Sequence, residues 1–60
     1  TIRAFRARVS LAEARYKVVV ERVKAGLATK LEEKRAELEL MESEAELEQA
    51  IKATQRFERP

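Results

Sequence analysis

The chain has 60 residues with 13 Lys+Arg, 11 Asp+Glu and no His, so a net charge of only +2 hides a surface on which 40% of all positions are charged. There is no Cys, one Gly and one Pro, and only three aromatic residues. Disulfides and thiol catalysis are thereby excluded, the usual metal ligand and the side chain that titrates near neutrality are missing, and too little punctuation is present for several strands. Of the 27 nominal hydrophobes 10 are Ala, which leaves 17 larger apolar side chains. A chain of this size buries only about 60% of its unfolded surface, so one small domain is the limit. No apolar run exceeds Val18 to Val20, far below the roughly 20 residues of a membrane span. The chain opens on Thr1 without an initiator Met, as expected of a processed protein or a piece of a longer one. Cysteine usage is compatible with a reducing or an oxidising compartment.

From the start of the chain, Ile2, Phe5, Val9, Ala12, Tyr16, Val19 and Val23 step by alternating intervals of three and four, the seam of a coiled coil. The next seam position is Gly26, which readily takes the left-handed conformation that ends a helix. Three residues on, Thr29 to Glu32 has the S/T-x-x-E form in which hydroxyl and carboxylate each accept from an unpaired N–H at a helix start. Stop and start are adjacent, so the spacing predicts one all-α antiparallel hairpin over residues 1–60. Its helices run from about 2 to 25 and from about 30 to 57, with the turn at about 26–29.

The second helix carries apolar residues on two faces. Leu27, Leu31, Leu38, Met41 and Ala45 fall on one, while Ala36, Leu40, Ser43, Leu47, Ala50, Thr54 and Phe57 fall opposite. The first helix repeats this with Ala7, Leu11, Ala14, Val18 and Ala25 behind its main seam. A lone hairpin covers only one face of each arm. Of the two stripes on the second helix one lines the hairpin and the other an intermolecular seam; Leu31, Leu38 and Met41 are assigned to the hairpin seam with Ile2, Phe5, Val9, Tyr16, Val19 and Val23. The remaining set, Leu11, Val18, Leu40, Leu47, Ala50 and Phe57, is assigned to an oligomer seam, so self-association into a helical bundle is expected.

Charge is segregated. Residues 1–30 hold eight Lys/Arg against two Glu, a net +6, and residues 31–60 hold five against nine, a net −4. Arg3, Arg6, Lys17 and Lys24 border one flank of the first seam and Arg8, Arg15 and Arg22 the other. This is the edge chemistry of coiled coils, and nucleic acid is disfavoured because the acidic second helix would repel phosphates. Glu13 with Lys17 and Glu48 with Lys52 are i,i+4 pairs in the favourable order. Neighbouring glutamates on the second helix lack the His that di-iron bundles add, and no nucleophile and base pair or phosphate loop is visible. No enzyme activity, cofactor, metal or small-molecule substrate is therefore expected.

Arg15-Tyr16, Gly26-Leu27, Thr29, and then Ala36, Leu40, Ser43, Leu47 and Ala50 at alternating spacings of four and three complete a pattern. It resembles the periplasmic coiled-coil hairpins of tripartite efflux and type I secretion systems, over about residues 12 to 54. Arg15, Tyr16, Gly26 and Thr29 follow the membrane-fusion adaptor (HlyD-type), with Val19 and Arg22 where that family has leucines. Gly26, Leu27, Thr29, Leu31 and Ala36 follow the outer-membrane channel (TolC-type). The resemblance implies a tip-to-tip docking role for Gly26, Leu27 and Thr29 with flanking Arg15 and Arg22, and a periplasmic location. It also implies a helical protein partner, although the lipoyl, β-barrel and transmembrane-strand domains of those families are not in this sequence. The alternative is a free-standing scaffold or regulatory hairpin that forms a four-helix bundle dimer, with RNA as a second-tier ligand.

Overall fold

The protein is an all-α helical hairpin. A computed structural model describes residues 1–58, with side chains through Gln55. Helix α1 spans Ile2–Lys24 and helix α2 spans Lys30–Glu58, and the two pack along their length in a body of 54 × 16 × 11 Å. Thr1 caps α1, its hydroxyl accepting from the Ala4 N–H at 3.4 Å.

Two ion pairs fix the register. Arg8 Nη1 lies 3.0 Å from Glu46 Oε2 and Arg15 Nη1 lies 3.0 Å from Glu39 Oε1, and in each pair the two residue numbers add to 54. The seam layers follow in the same alignment: Phe5 and Ala50 line one groove, as do Ile2 and Thr54, Ala12 and Ser43 a second, Val19 and Ala36 a third. Small side chains on α2 thus meet Phe5 and Val19, and at Ala12 and Ser43 both helices are small. Ala12 and Ala36 are the two apolar residues buried among those described, at 4% and 8% exposure. Ser43 and Thr54 occupy seam positions without leaving a donor unpaired, because each hydroxyl donates to the carbonyl four residues back, Glu39 at 2.8 Å and Ala50 at 3.0 Å.

On α1 the observed seam consists of Ile2, Phe5, Val9, Ala12, Tyr16, Val19 and Val23, all half-buried or buried. On α2 the structure reverses the assignment made from sequence. Leu40, Leu47 and Ala50 are half-buried against α1, whereas Leu31, Leu38 and Met41 are 60%, 55% and 58% exposed. The reason is length. The Leu31 stripe ends at Ala45, and its next positions are Glu48 and Lys52. Turned inward it would leave Ile2, Phe5 and Val9 uncovered. The stripe from Ala36 to Thr54 runs the whole way and brings Glu39 and Glu46 to Arg15 and Arg8. Leu11 and Val18 are 54% and 55% exposed. Phe57 lies on α2, but its side chain is outside the described residues.

Candidate interaction surface at the turn and the outer edges

The turn is built by local chemistry alone. Ala25 closes α1 and Gly26 follows at φ +76, in the left-handed region that L side chains avoid. The Gly26 N–H donates to the Val23 carbonyl at 3.1 Å and the Leu27 N–H to the Arg22 carbonyl at 2.8 Å, the two bonds of a Schellman ending. Helix α2 then starts on a reciprocal capping box. The Glu32 N–H donates to Thr29 Oγ1 at 3.2 Å and the Thr29 N–H to Glu32 Oε2 at 3.4 Å. Both helix ends at the turn are thus capped by bonds that lie within Arg22 to Glu32.

Leu27 sits between these two devices and is 77% exposed. Gly26, Leu27 and Thr29 therefore form one tip. Arg22 stands one turn below it. Arg15, eleven residues before Gly26, is about 16 Å down the helix at 1.5 Å per residue, where it pairs with Glu39. The structure does not bring Arg15 to the tip. Arg22 stands seven residues beyond Arg15, and Glu32 seven before Glu39, so a third rung of the same ladder is in place by register. Both line the groove near the turn, but no ion pair forms between them within 4.0 Å, because the Glu32 carboxylate is turned to the Thr29 N–H.

That groove runs along the Arg8, Arg15 and Arg22 face. Near the turn it outlines about 530 Å³ over an apolar floor of Val19 and Ala36, with the exposed Val18 on its α1 side and Arg22, Glu32 and Arg35 also at its rim. The floor is shallow and open to solvent. Among the described residues no group of three or more His, Cys, Asp or Glu side chains is placed to hold a metal ion, and no buried side-chain polar atom lacks a partner. No helix is long and apolar enough, among those residues, to cross a membrane.

The outer edges hold the rest of the large apolar surface. Leu11 and Val18 stand on the outer edge of α1, and Leu31, Leu38 and Met41 on that of α2, each more than half exposed. Together with Leu27 they all belong to residues 11–41, the half of the hairpin nearest the turn. Of the i,i+4 pairs read from sequence, Glu48 and Lys52 form an ion pair at 3.4 Å, while Glu13 and Lys17 are not within 4.0 Å. Sequence reasoning missed that Glu33 is half-buried on the seam line of α2, and that Val20, Glu37 and Ile51 are half-buried beside the seam. It also missed the Arg ladder's partners, although Glu32, Glu39 and Glu46 at intervals of seven were there to be matched with Arg8, Arg15 and Arg22.

Compared with known proteins, the chain matches no family model, no curated relative and no solved structure.

Proposed function

We propose that the protein is a structural interaction element, a coiled-coil hairpin that docks further helices on its two outer edges, as a homo-oligomer or within a larger helical protein. The observation that carries this reading is the exposure of Leu11, Val18, Leu31, Leu38 and Met41 at 54% to 60%. A single exposed leucine needs no explanation, but two lines of them on opposite edges of one thin body are a surface that water disfavours. Sedimentation equilibrium over a hundredfold range of concentration tests it. The wild type associates, and Val18→Glu with Leu38→Glu keeps its helicity but stays monomeric; a fully helical wild type that is monomeric throughout removes the homo-oligomer form of the reading.

The exposed Leu27 supports a finer version, a docking hairpin of an efflux or secretion assembly that presents its tip to another hairpin. This version requires a gene that encodes an export signal and lies beside a transporter gene, and a gene with neither removes it. The free-standing four-helix bundle with RNA on its basic helix has less support. Arg8 and Arg15 are already held by Glu46 and Glu39, so two of the cations that would meet phosphate are engaged.

A further inference from the structure

The outer edge of α1 reads Ala4, Ala7, Leu11, Ala14, Val18, Glu21 and Ala25, a second heptad line at alternating intervals of three and four, exposed throughout. The outer edge of α2 reads Leu31, Lys34, Leu38, Met41 and Ala45 at the same intervals, also exposed throughout. Each is a seam without a partner. We infer that the occupant is a second copy of this chain, laid alongside with its turn at the same end, so that the α1 edge of one copy packs antiparallel on the α2 edge of the next.

Charge complementarity selects this pairing. Within Ile2–Lys24 seven Lys/Arg face two Glu, giving α1 a net +5, and within Lys30–Glu58 five face nine, giving α2 a net −4. Packing α1 on α1, or α2 on α2, sets like charges side by side over the length of the contact, whereas α1 on α2 sets opposite ones.

Register supports it independently. Inside the hairpin, facing seam residues have numbers that add to 55 or 56, as in Phe5 with Ala50 and Ile2 with Thr54. Two copies at the same height obey the same rule across their outer edges. Leu11 then meets Ala45, Ala14 meets Met41 and Ala25 meets Leu31, each a large side chain against a small one. Val18 meets Leu38 at the centre. At the one remaining layer Glu21 meets Lys34, opposite charges where both edges lose their apolar character. Each of these two now makes only a loose pair on its own helix, Glu21 with Lys24 at 3.7 Å and Lys34 with Glu37 at 3.8 Å, both largely exposed. Both are free to exchange. Such a contact is heterologous: every copy offers one edge of each kind, so addition continues until a ring closes or an open array grows.

This inference rests on the docking reading above, and disulfide mapping separates the two. The chain has no Cys, so introduced thiols are unique. Ala14→Cys with Met41→Cys places the pair on opposite outer edges of one hairpin, beyond the roughly 7 Å Cα separation that a disulfide tolerates. Oxidation is expected to give a ladder of dimers, trimers and higher species, while Ala14→Cys alone and the off-register pair Ala14→Cys with Leu31→Cys give essentially none. Cross-linking of the single Ala14→Cys variant, or equal ladders from both pairs, overturns the inference while leaving self-association in place. A helical wild type that does not associate overturns both the inference and the homo-oligomer form of that reading. Should the cysteine variants lose helicity, charge reversal decides instead. Lys34→Glu raises the concentration of half-association about tenfold and Glu21→Lys added to it restores the wild-type value. An absence of rescue overturns the pairing.

Discussion

Arg15 Nη1 stands 3.0 Å from Glu39 Oε1, and Arg8 repeats the contact with Glu46 at the same distance one heptad further from the turn. Side chains in both pairs remain about half to two-thirds exposed, so each contributes little energy, of the order of 0.5 kcal/mol. Their effect is on alignment. Sliding α2 by one turn, four residues on, would place Arg15 and Arg8 beside Ser43 and Ala50, and would set Phe5 and Val19 against Thr54 and Leu40, both larger than Ala50 and Ala36. Arg15→Glu should therefore destabilise by about 1 kcal/mol through like-charge contact with Glu39. Adding Glu39→Arg should recover most of that loss. Urea unfolding at low ionic strength measures both, and repeating it near 1 M salt should shrink the coupling, since the Debye length there is about 3 Å.

Gly26 has open space where a Cβ would sit, with nothing within 4 Å, but its φ of +76 is costly for an L side chain. The penalty of Gly26→Ala is therefore conformational, about 1 kcal/mol, with no steric part. A synthetic chain with D-Ala at the same position should be as stable as the wild type or slightly more so, because that enantiomer prefers positive φ. Spin labels at Glu13 and Glu42 follow the geometry. One continuous helix would separate them by about 44 Å, and the hairpin holds them at well under half of that. Equal losses for Ala and D-Ala would show that the left-handed ending is not what turns the chain.

Glu33 lies on the seam line of α2, three residues before Ala36, and its side chain is 19% exposed. Among the described residues its ion pair is a 4.0 Å contact with the exposed Lys30. A carboxylate is well placed in the first turn of a helix, worth about 0.5 kcal/mol, yet a half-buried leucine beside Val23 should contribute more than that. Glu33→Leu is expected to raise stability by about 1 kcal/mol, read as an upward shift of the thermal midpoint. A decrease would mean that the carboxylate's place at the α2 N-terminus outweighs seam packing.

The turn and the α1 seam were legible in the sequence because both are local. Gly26 and Thr29 act through bonds to residues within four positions, and the α1 stripe from Ile2 to Val23 is built of large side chains at every position but Ala12. The inner face of α2 was not, since Ala36, Ser43, Ala50 and Thr54 make up much of it and hydrophobicity alone ranks Leu31, Leu38 and Met41 above them. Small residues are favoured there by the closeness of α1, which is a tertiary fact. The choice was written in charge instead, in the heptad spacing of Arg8, Arg15 and Arg22 against Glu32, Glu39 and Glu46. Matching those two series antiparallel leaves only one face of α2 to turn inward.

Leu38 and Leu40 put that choice to a direct test, being two residues apart and on nearly opposite sides of α2. Leu40 is half-buried against α1 and Leu38 is 55% exposed. Leu40→Ala removes packing from the seam layer near Tyr16 and should cost about 2 kcal/mol, toward the low end for a leucine truncation because the site is incompletely buried. Leu38→Ala should cost less than about 0.5 kcal/mol in a dilute chain, where its side chain meets mostly water. Its effect should grow with protein concentration, because the outer edge gains contacts only when copies meet. Urea unfolding of both variants at a low and a hundredfold higher concentration separates these effects. If Leu38→Ala proves the more damaging at the lowest concentration, the seam of the isolated hairpin runs through Leu31 and Met41 after all, and the Arg15–Glu39 register must be abandoned with it.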